Sequence, residues 1–489
     1  MIRVWGGGMY QTDAFYEACD AAGVMLFHDM MFSFRLYPHD PAFEANVAAE
    51  VDYQVSRLLH HPSIVLWDSS NENEGDPAFF YRTVLDRIAT IDTDRPLWPA
   101  SPSSGFSAGV HTDTGLPNGN PLVGRYQQTL DTHMPYGYCS AAYMTSTTLN
   151  QTFNPSQPGN PMVYFKSEFG QVSLPAFETL SPVLSEKDGD YGVFSDIMVH
   201  RKHSTQKDIA APITSLFGFD NFKDTSEANF RRVIFLSQLA QTLCIKTTLE
   251  ELRRGEETFG ALMWQLNDVW QASSWGSLDY GGRWRALQHS LQAVFAPTLV
   301  SVWLDQASKS AQIYGSHHGA SRTTGLVVEV NITSIATGEV SLHTSTSWSA
   351  DGTAFIAPVS QVPLDKISTK NEVVITQLIR DGVPVETSQT VHPLLAPSEM
   401  NWAMASASDV TATVSKDLTV TVRNGAAVPL FYGLVTSTLP GRFSRNLLYV
   451  PPKGSVDLVF HLANESGTVP TPTPTALQAS LSMNWYNRV

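Results

Sequence analysis

The chain has 489 residues, 43% of them hydrophobic and 16% charged, with 31 Lys+Arg against 46 Asp+Glu for a net charge of −15. That length exceeds one ordinary domain, and the composition is globular rather than disordered. The acidic balance argues against nucleic acid or an anionic membrane as partner, and no apolar run reaches the ~18 residues that span a bilayer.

Along the first 300 residues, strand-like apolar runs alternate with amphipathic segments. DAFYEACDAAGV (13–24) has helical spacing, with Asp13 as its expected N-cap and Gly23 as its stop. VMLFHDMMF (24–32) reads as a buried strand. In 41–59, Val47, Val51, Val55 and Leu58 fall on one helix face. Further strands are expected at 63–67, 95–100, 162–169 and 260–266, with a long helix over 231–252. Repeated strand-then-helix order with near-continuous apolar strands predicts a parallel sheet, open or closed into a barrel.

From about residue 300 the texture changes to short, β-branched, turn-bounded runs such as GLVVEVNITS and TATVSKDLTVTVRN. These predict β-sandwich modules, divided near Pro397 into 301–396 and 397–489. TVPTPTPT (468–475) is expected to be extended. Cys19, Cys139 and Cys244 are too few and too scattered for a disulfide framework, a redox motif or a metal site. Three N-x-S/T tripeptides begin at Asn150, Asn331 and Asn464, and no signal-peptide pattern opens the chain.

In a parallel barrel, catalytic groups gather at the C-terminal ends of strands. Two strands run into glutamates there: LWDSSNENEG (66–75), with Glu72 and Glu74, and SEFG, with Glu168. Glycoside hydrolysis needs a carboxyl pair, one protonating the leaving oxygen and one ionised to attack the anomeric carbon. By position alone, solvated loop glutamates are the commoner case. Aromatics near strand ends tilt the balance, because sugar rings stack their C–H faces on such surfaces. Trp5, Trp67, Trp98, Trp264, Trp270, Trp275 and Trp284 qualify, with Tyr136 and Tyr138, although any single tryptophan is more often core. His133 in DTHMPYGY has two readings, a structural role or a hydrogen bond to substrate or a catalytic carboxylate. The glycine run of RVWGGGMY lacks phosphate-loop spacing, and His60, His61 and the HRKH run (200–203) lack zinc-site partners. No G-x-S-x-G elbow occurs.

At these residues the chain resembles β-mannosidases of glycoside hydrolase family 2. The similarity rests on RVWGGGMYQTDAFYEACDAAGVMLFHDMMF, HPSIVLWDSSNENE, SEFGQVS, GALMWQLNDVWQASSWGSLDYGGRW and LPGRFS, and it runs almost the full length. It implies a multidomain α/β plus all-β protein: a (β/α)8 barrel over 1–300 followed by two immunoglobulin-like modules. It further implies retaining, exo-acting hydrolysis of terminal β-mannosides without metal or cofactor. Glu72 would be the acid/base, protonated at rest, and Glu168 the nucleophile, their carboxyls ~5–5.5 Å apart. Trp5, Asp29, Asn71, His133, Tyr138 and Trp264 would line the sugar pocket. Where the family usually reads Ser-Gly-Asn, this chain has Asp68-Ser69-Ser70. Similar proteins place a sugar-binding sandwich, an immunoglobulin-like domain and the first barrel strand before this point, so an N-terminally truncated chain is expected. A lysosomal or secreted full-length form is implied. The rival readings are a β-galactosidase or β-glucuronidase of the same clan, or an inactive carbohydrate-binding protein.

Overall fold

A computed structural model describes residues 1–34, 36–73, 79–98, 100–102, 106–107, 110–111, 131–136, 165–255, 258, 260–319, 322–350, 352, 354–463 and 470–488. These fall into two compact units. One takes in the described residues up to 135 with 165–169, 258 and 260–263, and the other takes in 136, 170–255 and those from 264 onward.

In the first unit, β1 (Ile2–Val4), β2 (Leu26–Asp29), β3 (Ile64–Asp68) and β4 (Leu97–Trp98) form one parallel sheet in chain order. Helix α1 (Asp13–Ala22) joins β1 to β2, and α2 (Pro41–Leu58) joins β2 to β3. Gly23 ends α1 at φ 66°, a left-handed conformation that a side chain would oppose. The N-cap position of α1 is Thr12 rather than Asp13, which sits in the first turn and pairs with Arg57. Helix α2 starts where its sequence dictates. Asp40 Oδ1 accepts the amides of Ala42 and Phe43 at 3.1 and 3.0 Å, and Pro41 occupies the first turn, where no N–H is needed. Its Val47, Val51, Val55 and Leu58 are all buried, with Tyr16, Leu26 and Trp67 in the same cluster.

The strands are shorter than their apolar runs. Residues 30–32 stay buried or half-buried, but the ladder of β2 ends at Asp29, and the run predicted over 260–266 contributes only Gly260–Ala261. A second group of strands, Asp131–Tyr136, Phe165–Gly170 and Gly260–Ala261, shares one sheet, the last two pairing in parallel. Phe27, Leu66 and Trp98 pack with Phe165 and Leu262 in a separate apolar cluster. Because side chains alternate along a strand, Asp29 and Asp68 stand on the same faces as Phe27 and Leu66, two residues further on. Polar groups thus cap an apolar layer at the strand ends.

The second unit is organised around a 28-residue helix, Glu227–Arg254, capped by Ser226. From Thr298 onward its strands form two pairs of largely antiparallel sheets, between Thr298 and His392 and between Val410 and Asn484. The stretch expected to be extended over 468–475 instead runs into a helix, Pro474–Ser480. Thr473 caps it, and Leu477 anchors it in the core. Cys19 is a free, buried thiol, whereas Cys244 is disulfide-bonded, so one bridge forms where the spacing predicted none. No helix among the described residues is long and apolar enough to cross a membrane.

Truncating Leu58, which is fully buried against β2 and β3, should cost about 2–5 kcal/mol. Chemical denaturation of Leu58→Ala should show this as a lower midpoint with an unchanged slope.

Candidate active site

The C-terminal ends of β1, β2 and β3 bring together one arginine and two aspartates, and the loop after β3 adds an asparagine and a glutamate. That loop is set by backbone bonds before any side chain acts. Asn71 N–H donates to Phe32 O at 2.9 Å, Glu72 N–H to Ser101 O at 2.8 Å, and Ser101 N–H to Ser70 O at 3.0 Å. Glu72 itself sits at φ 50°, a left-handed conformation costly for a side-chain-bearing residue and common at functional sites.

Arg3 is the hub. Its Nε donates to both oxygens of Asp29 at 3.0 and 3.1 Å. Its Nη2 reaches Asp29 Oδ2 at 2.7 Å and Asn71 Oδ1 at 2.9 Å, and its Nη1 holds Glu168 Oε2 at 3.0 Å. Asn71 is steadied from its other end by a 3.1 Å bond from Nδ2 to Ser33 Oγ. Asp29 also accepts the Gly6 amide at 2.9 Å. A Cβ on Gly6 would stand 2.5 Å from Phe32 O and 2.7 Å from Met30 O, so glycine is required for this approach. Burial opposes the charge on Arg3, but Asp29 and then Glu168 and Asp68 outweigh it and hold the guanidinium firmly protonated.

A second chain of bonds serves Glu72. His133 Nδ1 lies 2.8 Å from Glu72 Oε1 and 3.9 Å from Glu168 Oε2. On its far side, His133 Nε2 meets Ser101 Oγ at 3.0 Å, and Ser101 Oγ donates to Ser167 Oγ at 2.8 Å. The His133 hydrogen bond, working against partial desolvation, lowers the pKa of Glu72. This differs from the protonated resting state expected of an acid/base. The imidazole that stabilises this anion arrives from a strand 61 residues away. One donor atom each from Glu72, His133 and Glu168 falls within 4.8 Å of the others. A cation could bridge such a triad, but Arg3 already neutralises Glu168 Oε2 and His133 already faces Glu72.

Of the residues singled out in the sequence, Asp29, Asn71, Glu72, His133 and Glu168 converge in this cluster. Trp5 follows β1, with its indole folded against Gly7. Trp264 belongs to the second unit, where it precedes a cis peptide bond to Gln265. Tyr138 and Glu74 lie outside the described residues. Sequence reasoning passed over Arg3, Ser101 and Ser167. For Arg3 a signal existed, a lone cation inside a short apolar strand. The HRKH run forms no metal site among the described residues: His203 Nε2 accepts from Trp270 Nε1 at 2.9 Å.

No family model matches the chain. Among curated proteins, the β-mannosidase of Bos taurus is 32% identical over 483 residues, covering 91% of this chain and 52% of that protein. β-Mannosidase A of Aspergillus oryzae is 29% identical over 352 residues, covering 64% of this chain and 37% of its own. The crystal structure of a β-D-mannosidase from Dictyoglomus thermophilum superposes with a TM-score of 0.77 at 22% identity, covering 100% of this chain and 56% of that one. The chain is therefore a relative of the β-mannosidases and has the fold of the corresponding part of such enzymes. It spans about half the length of the curated relatives it matches.

Removing the hub should expose the charge balance. Arg3→Leu leaves buried carboxylates without their counter-ion and should cost about 3–5 kcal/mol near neutral pH. Urea denaturation of variant and parent measures the loss.

Proposed function

We propose that this chain carries the chemistry of a retaining exo-β-mannosidase, with Glu168 as nucleophile and Glu72 as acid/base. One observation carries the reading. Two glutamates at the ends of parallel strands bring carboxyl oxygens within 4.8 Å, each held by its own cationic or imidazole partner. The spacing suits direct attack on the anomeric carbon and leaves little room for the intervening water of an inverting enzyme.

In this scheme Arg3 keeps Glu168 ionised and oriented, and Glu168 attacks the anomeric carbon as the glycosidic bond breaks. Glu72 delivers the proton to the leaving oxygen, then takes one from the water that releases mannose. Since His133 favours the anion of Glu72, this scheme calls on bound substrate to restore the protonated acid. We assign His133 to Glu72 rather than to the sugar. Asn71, fixed by Arg3 and Ser33, is assigned to the sugar hydroxyl beside the nucleophile, and Trp5 to the wall of the pocket. Asp29 orients Arg3.

The parallel strands fit a (β/α)8 barrel over residues 1–300, and the paired sheets beyond fit sandwich modules over 301–396 and 397–489. The substrate class is terminal β-mannosides of oligosaccharides or glycoprotein glycans. A disulfide at Cys244 suits a secretory or lysosomal setting.

The test compares nitrophenyl β-mannoside, β-galactoside and β-glucuronide as substrates. Only the mannoside should be turned over at an appreciable rate, and a fluorinated mannosyl substrate should label Glu168. Preference for another glycoside would overturn the substrate, and an unlabelled Glu168 would overturn the mechanism. Glu72→Gln should slow poor leaving groups far more than good ones, whereas Glu74→Gln should stay within about tenfold of the parent. Equal losses from both would reassign the acid.

A further inference from the structure

The scheme above leaves one carboxyl of the cluster without a task. Asp68 faces Asp29 as its cross-strand neighbour, and both side chains are fully buried. Opposed like charges on adjacent strands are unfavourable unless a counter-ion or a proton intervenes.

Arg3 pairs with Asp68 only at ion-pair distance and gives its assigned hydrogen bonds to other groups. Of its five N–H groups, the Nε hydrogen goes to Asp29, and the two on Nη2 go to Asp29 and Asn71. One on Nη1 goes to Glu168. Asp68 Oδ2 stands 3.7 Å from Nη2, too far for a hydrogen bond, and accepts none from any other described residue. Its Oδ1 has only the Ser70 amide at 3.3 Å. Ionised, Asp68 would be a third buried anion around one guanidinium. Among the described residues, the charged groups bearing on it are Asp29 and Arg3, with Glu168 linked through Arg3. β4 sets Trp98 beside it, which does not titrate. Burial first, and Asp29 next, push the Asp68 carboxyl well above the ordinary aspartate range, in accord with the donor count.

We propose that Asp68 is a proton-carrying positioning residue: as the neutral acid it leaves Arg3 to Glu168, and once ionised it competes for that guanidinium and loosens the nucleophile. The catalytic consequence rests on the reading of Glu168 as nucleophile. The protonation itself does not.

Because Asp68 binds its proton more tightly folded than unfolded, its contribution to stability is complete in acid and falls as pH rises towards its folded value. Unfolding of the parent and of Asp68→Asn is measured from pH 4 to 8, with Asp68→Ser as a second neutral variant should the first not fold. Across the window where unfolded aspartate is ionised and Asp68 is not, the parent's unfolding constant should rise about tenfold per pH unit relative to the variant. In parallel, the ratio of variant to parent kcat/KM on nitrophenyl β-mannoside should climb with pH. A flat stability difference overturns the proton on Asp68, and a flat activity ratio beside a changing stability difference overturns its hold on Glu168. A changing stability difference in a protein that hydrolyses no glycoside leaves the buried proton standing and removes the glycosidase reading.

Discussion

Everything at the candidate site depends on one buried guanidinium. Arg3 is the point at which β1, β2, the loop after β3 and the Phe165–Gly170 strand all satisfy their polar groups, through Asp29, Asn71 and Glu168. A buried ion cluster of this kind is seldom the cheapest way to stabilise a core, since desolvation offsets much of the attraction. It persists where its geometry is used. Here the planar fork fixes the direction of a carboxylate, which a lysine, with its single rotating ammonium, would hold less firmly.

The architecture explains why such a cluster forms at this level and no deeper. Parallel strands end in register, so consecutive strands present equivalent positions at one edge of the sheet. Beneath the polar layer, Phe27, Leu66, Trp98 and Phe165 close off the interior. Charges placed on that layer lose solvent below and keep partial access above. The two glutamates diverge accordingly: the Glu168 side chain is 9% exposed and the Glu72 side chain 42%. In the proposed scheme this suits a fixed nucleophile and a proton-exchanging partner with reach.

Much of this was legible in the chain, and the limits have physical causes. Helix α2 announced itself through Asp40, Pro41 and the valine spacing, because caps and periodicity are local. Glu72 and Glu168 were legible because each ends an apolar run. Strand ends were overrun since burial continues past the last ladder bond, as Met30 and Phe32 show. Arg3 stayed hidden because its partner Glu168 lies 165 residues away, and no local pattern encodes that pairing. His133 was legible as a candidate partner of a carboxylate, but not that the carboxylate is Glu72, 61 residues earlier. The helix from Pro474 was misread because its proline-rich approach resembles extended chain, while the decisive facts are the Thr473 cap and the burial of Leu477.

The long helix Glu227–Arg254 bears on how the second unit comes apart. Its Phe230, Val233, Leu236, Leu239 and Leu243 share one buried cluster with Ile335, Val373 and Val391 and with Phe431, Tyr432 and Tyr486. That core joins the helix to strands on both sides of Pro397, so a piece cut at either change of texture would bare aromatic and aliphatic surface that the helix covers. Opening any one of the β-rich segments or the helix therefore exposes buried surface of the others, which couples their stabilities.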